Sequence, residues 1–163
     1  MGSHRREQGF SLIELLIVVA IILIIAAIAI PSLLKSKMSA NEASAVESLR
    51  TIDTGETAYA AMCPDLGYSA TLTELNTGAI CPSGKGILDS VLGGADPSSK
   101  AGYQFTYTPG PAGPSGIVSS FTVVGLPLTA HVTGQRGFYS DQTNVVRYTP
   151  DGSVPTPTSS PIQ

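Results

Sequence analysis

The chain has 163 residues, 42% of them hydrophobic, with 9 basic and 12 acidic side chains and a formal charge of −3. That length allows one membrane or filament helix plus one small globular domain of about 100 residues. The weakly acidic balance argues against a nucleic-acid surface, which needs clustered Lys and Arg.

The first element is the apolar run from Phe10 to Ile30, 21 residues in which Glu14 is the only ionisable side chain. At a rise of about 1.5 Å per residue, a helix of that length reaches about 32 Å, close to the roughly 30 Å of bilayer hydrocarbon. Ten of the 21 residues are Ile or Val. They are mediocre helix formers in water, but in lipid every backbone group must be satisfied within the segment, so helix is the expectation. An acidic group at that depth costs about 3 kcal/mol and calls for a partner. Pro31 removes a backbone donor and predicts a kink, with Ser32 and Ser36 placed to occupy freed groups. Arg5 and Arg6 before the run are matched by Lys35 and Lys37 after it, so loop charge alone does not fix an orientation.

Gly9, Phe10 and Glu14 in register, with a short basic stretch before and an apolar run ending at Pro31 after, resemble the type III signal of type IV pilins and their relatives. The resemblance implies cleavage after Gly9 by a prepilin peptidase, N-methylation of Phe10 by the same class of enzyme, and a role for Glu14 in assembly and register. It also implies a cytoplasmic leader, a precursor held in the bacterial inner membrane, and an extracellular filament when assembled. Loss of residues 1–9 would leave 154 residues with 7 basic and 11 acidic ones. Met1-Gly2-Ser3-His4 also looks like the start of an expression tag, although no run of His follows. An ordinary secretory signal is disfavoured because its apolar region is shorter, about 7 to 15 residues.

From Ser32 to Ala61 the residues Leu34, Met38, Ala45, Leu49, Ile52, Tyr59 and Met62 recur mostly at three or four, a stripe expected to pack on a sheet, while Lys35, Glu42, Glu47 and Arg50 lie elsewhere. Ser39 to Val46 and Leu49 to Ile52 are similar to the second half of a pilin helix. Gly55 weakens the interior by about 1 kcal/mol, and Cys63-Pro64 ends the helix. Residues 65–85 read as loop, with a short helical turn at Thr71 to Leu75 and another at Gly86 to Leu92. Strands are expected at Tyr103–Tyr107, Val118–Val124, Gly137–Ser140 and Val145–Tyr148, divided by Pro- and Gly-rich or Asp-Gln-Thr-Asn turns. The segment Pro155 to Gln163, rich in Pro, Ser and Thr, predicts an unfolded tail.

The expected organisation is therefore α+β and pilin-like. A leader (1–9) precedes an apolar helix (10–31) that protrudes, an amphipathic helix (32–62) packed on a small antiparallel sheet within a globular domain (63–154), and a flexible tail (155–163).

Cys63 and Cys81 enclose 17 residues. A disulfide there would contribute about 3 kcal/mol and staple the loop after the helix. A metal pair and free buried thiols are the competing readings. Metal is disfavoured because His4 and His131 are the only histidines and accompany no ligand cluster. Asp96, Asp141 and Asp151 read as turn formers rather than as the calcium loop of some pseudopilins. His131 lacks any Gly-x-Ser-x-Gly nucleophile turn, and the Gly84-Lys85-Gly86 patch lacks phosphate-loop spacing, so neither an enzyme nor a cofactor is expected. Aromatic conduction along the helix finds only Phe10 and Tyr59.

The resemblance implies a structural subunit of a type IV pilus or pilus-like filament. Its partners would be copies of itself, the prepilin peptidase/methyltransferase, the assembly machinery and, before assembly, the inner membrane. A type II secretion pseudopilin and a non-polymerising membrane-anchored binding domain are the alternatives.

Overall fold

The computed structural model describes residues 10–78 and 86–162. The chain divides into two units, Met1–Ser36 and Lys37–Gln163, and the helix α1 (Leu12–Met62) runs through the boundary with Pro31 inside it.

In the first unit, α1 contains a stretch of mean hydropathy 3.3, none of it buried. The second unit is built on the rest of α1. A short helix α2 (Leu72–Thr77) follows, and then six strands: β1 (Ser98–Lys100), β2 (Tyr103–Pro109), β3 (Phe121–Pro127), β4 (Gly137–Asp141), β5 (Arg147–Thr149) and β6 (Ser160–Pro161). All neighbours are antiparallel and the spatial order is the chain order, a meander. The fold is thus the α+β arrangement expected of a pilin-like chain, a long N-terminal helix packed on an antiparallel sheet.

The helix packs where its stripe predicts. Ala45, Leu49, Ile52 and Tyr59 are buried against Tyr103, Phe105 and Tyr107 of β2, Phe121 and Val123 of β3, and Phe138 of β4. Period-two alternation places the three β2 aromatics on one face, leaving Gln104, Thr106 and Thr108 exposed. Gly125 sits between Phe105 and Phe138 in the cross-strand register, and a Cβ there would lie 3.1 Å from the Phe105 ring, so glycine makes room for both aromatics. At the ends of the stripe, Leu34 is exposed, Met38 half-buried and Met62 exposed.

Several expectations are corrected. The tail is not a free segment: Pro155 is buried, Ser160–Pro161 pairs with β5, and Ile162 N donates to Val146 O. The meander leaves the outer edge of β5 open, and the chain end fills it. The strand expected at Val118–Val124 starts three residues later, at Phe121, because Val118 instead exchanges backbone hydrogen bonds with the loop through Leu66 O and Tyr68 N. Of the helical turn expected at Gly86–Leu92 only the end forms: Gly93 N donates to Asp89 O at 2.9 Å, and Asp89 Oδ1 accepts from Val91 and Leu92 N, while residues 86–89 are irregular. β1 was not expected. It pairs with β2 through an Ala101-Gly102 turn with both φ positive, the geometry that matches strand twist in a two-residue hairpin.

Candidate assembly segment and the buried carboxylates

In the first unit, the large apolar side chains from Phe10 to Leu34 are exposed, from 46% at Val19 to 80% at Phe10. So much apolar surface exceeds what a monomer in water leaves bare. Leu12 begins the helix, and the Glu14 carboxylate turns back to accept from Ser11 N at 2.9 Å. That is half of a capping box, with Ser11 at the N-cap and Glu14 at the third helical position. The carboxylate is therefore held at the first turn, one residue from Phe10. Of the predicted processing residues, Phe10 is exposed, and Gly9 lies outside the described residues.

Residues 4–30 match the family model described as the prokaryotic N-terminal methylation motif. The likeness to that family lies in this N-terminal segment. Over 54 residues, 33% of its length, it is 44% identical to the type IV major pilin protein PilA of Myxococcus xanthus (strain DK1622). It spans about a quarter of that relative, 24% of its length. No solved structure matches the chain. The family model covers the N-terminal segment alone, and the globular unit must be read from its own geometry.

That unit holds three acids on the sheet-facing side of α1. Glu42, which the stripe analysis set apart from the packed face, is buried on it. Its Oε1 accepts from Gln135 N and Arg136 N, and Oε2 from Arg136 Nε at 2.8 Å. The Arg136 guanidinium lies 5.5 Å from the Phe138 ring centroid and 5.6 Å from that of Tyr148. Burial pushes the Glu42 pKa up, but the two backbone donors and the Arg136 charge outweigh it, and the net shift is downward.

Asp53 is buried, its Oδ2 accepting from the Ser140 hydroxyl at 2.5 Å while its Oδ1 has no partner among the described residues. Desolvation raises its pKa to about 6. The Ser140 bond opposes the rise, and the charges of Asp141 and Glu56 add to it. Glu56 is fully buried, and desolvation raises its pKa against the bonds from Ser69.

A signal for two of these acids was present in the spacing. Glu42, Ala45, Leu49, Ile52, Glu56 and Tyr59 recur at three, four, three, four and three, so both Glu residues occupy stripe positions. A polar residue in register is buried when backbone N–H groups await an acceptor, as those of Gln135, Arg136 and Ser69 do here.

Other predicted positions fall as follows. Cys63 is buried just past the end of α1, and Cys81 lies outside the described residues, as does His4. Asp141 Oδ1 accepts from Thr143 N, and Asp151 Oδ1 from Ser153 N, both within turns. Asp96 Oδ1 instead takes Tyr107 N at 3.4 Å. His131 is exposed at a positive φ of 62°. Among the described residues no group of three His, Cys, Asp or Glu is placed to hold a metal ion.

Proposed function

We propose that the chain is a structural subunit of a type IV pilus or pilus-like filament. The observation that carries this reading is the exposed apolar helix from Phe10 onward with one carboxylate fixed in its first turn. In this reading a prepilin peptidase cuts between Gly9 and Phe10, and the new Phe10 amine is methylated. The precursor waits in the inner membrane with the helix in lipid. Assembly then moves helix surface from lipid into a bundle of helices. Lipid tails satisfy apolar groups as well as a protein core does, so packing and polar pairing must supply the specificity.

Glu14 supplies that pairing. Cleavage creates a positive amine four residues before it. A neighbour displaced along the bundle axis can bring its Phe10 amine to the carboxylate. The pair offsets the desolvation of both charges and sets the axial stagger. A head-to-tail contact that does not close on itself propagates as an open polymer.

Material sheared from the surface of producing cells, separated by size and sequenced from its N-terminus, tests this. The expected result is filaments whose subunit begins at Phe10. Protein confined to the membrane fraction, with no sheared filament, would overturn it.

A further inference from the structure

Within the Lys37–Gln163 unit, a cavity of about 160 Å³ opens beside the C-terminal end of α1, walled by Leu66, Tyr68 and Val118 and containing Tyr59 and Glu74. Tyr59 is 2% exposed, and no described residue hydrogen-bonds its hydroxyl. The Glu74 carboxylate has one oxygen engaged, Oε2 accepting from Ala70 N at 2.9 Å. Its charge is unanswered: among the described residues the ion pairs are Lys100 with Asp89 and Arg136 with Glu42. Burial, then Glu74, then Glu56 raise the Tyr59 pKa, so the phenol lies in the field of these carboxylates.

The chemistry of the cavity selects its guest. Apolar walls suit a methylene stem, a carboxylate oxygen and a phenol oxygen accept from an ammonium, and tyrosine ring faces attract a cation. An ammonium needs only the second Glu74 oxygen and the phenol oxygen as acceptors, and a methylene stem matches the Leu66 and Val118 walls. This combination fits an alkylammonium, the end of a lysine.

We propose that this cavity receives the Lys37 side chain of a second copy of the chain. Lys37 is exposed and makes no ion pair among the described residues. It begins the compact unit, and Tyr59 lies 22 residues further along the same helix, about 33 Å away. A contact joining Lys37 of one copy to the cavity of the next therefore joins opposite ends of the unit. Such a contact is heterologous and repeats without closing. It rests on the filament reading above, to which it adds a second, polar contact outside the apolar helix.

Charge exchange in full-length protein, in the cells that make it, tests the contact. Glu74→Lys and Lys37→Glu are each expected to lower sheared filament yield at least tenfold, with the membrane precursor at its usual level. The double variant with both changes is expected to return the yield to within about twofold of the unmodified chain. Glu74→Gln keeps an acceptor for Ala70 N and hence the cap of α2, so a loss of filaments in this variant reports the charge rather than folding.

Unchanged yield in the single variants, or a double variant no better than either single, would overturn the contact while leaving the filament reading intact. Rescue of Glu74→Lys by Lys35→Glu instead would overturn the assignment of Lys37. Absence of filaments from the unmodified chain would remove the filament reading and the contact together.

Discussion

The carboxylate of Glu56 holds Ser69 twice, Oε2 accepting its backbone N–H at 2.9 Å and Oε1 its hydroxyl at 2.5 Å. The Tyr107 hydroxyl donates to Ser69 O at 2.7 Å, so helix, loop and β2 meet at one serine. The buried carboxyl group is tolerated because both of its oxygens are hydrogen-bonded.

Replacing Glu56 with Ala leaves the buried Ser69 N–H without its acceptor, while the Ser69 hydroxyl keeps Thr71 O at 3.1 Å. An unsatisfied buried group costs about 1–3 kcal/mol, so Glu56→Ala should destabilise the globular unit by about that much. Glu56→Gln keeps one acceptor and should cost less. Thermal unfolding of the detergent-solubilised chain checks the order. Equal melting temperatures for Ala and the unmodified chain would refute it.

Asp53 predicts a pH dependence. Its folded pKa, about 6, lies above the ordinary value of 3.8, so the folded state binds the proton more tightly than the unfolded one. The sign follows: stability contributed by protonated Asp53 is present below about pH 4 and is lost as pH rises through about 6, on the order of 2–3 kcal/mol. Glu56 acts in the same direction and Glu42, with its lowered pKa, in the opposite one. Asp53→Asn mimics the protonated form, keeps an acceptor for Ser140, and should raise the melting temperature at pH 7 while flattening the curve between pH 4 and 6. A variant less stable at pH 7 would contradict this.

How far the sequence reveals these features depends on whether one local rule decides them. The α1 stripe and β2 were legible because period 3.6 and period 2 apply over many residues, as Leu49–Ile52 and Tyr103–Tyr107 show. Glu42 and Glu56 were hidden because charge ordinarily marks a solvated position, and only the loops facing them, residues 135–136 and 69, reverse that. β6 was hidden because Ser160-Pro161 carries no strand signal of its own; the open edge of β5 recruits it. At the N-terminus the reverse holds. Gly9, Phe10 and Glu14 are read from register alone, whereas the chemistry proposed for them would involve an enzyme and a second subunit.

A disulfide between Cys63 and Cys81 would tie the end of α1 to the chain beyond α2. Its loop encloses 17 residues, for which chain entropy gives about 3 kcal/mol. Cys81→Ser in exported protein should lower the melting temperature, by about 10 °C or more for a domain of this size. Non-reduced peptide mapping should recover the linked pair from the unmodified chain. Two alkylatable thiols in exported protein would refute the bridge.

Glu14 separates insertion from assembly. In the single chain its carboxylate caps Ser11 N, a contact worth about 1 kcal/mol at a helix start, so its loss does not prevent the helix from forming. Glu14→Leu makes the segment more apolar, and the precursor should enter the membrane at least as well. In the proposed filament the substitution would also remove the counter-charge for a neighbour's Phe10 amine, which would then be buried unpaired at a cost of about 3–5 kcal/mol per subunit. Over a polymer that penalty recurs at every interface. Glu14→Leu should therefore leave precursor in the membrane fraction and abolish sheared filaments. Glu14→Asp, with its carboxylate one methylene shorter, should restore them only in part. Abundant regular filaments from the Leu variant would show that the carboxylate serves its own helix alone.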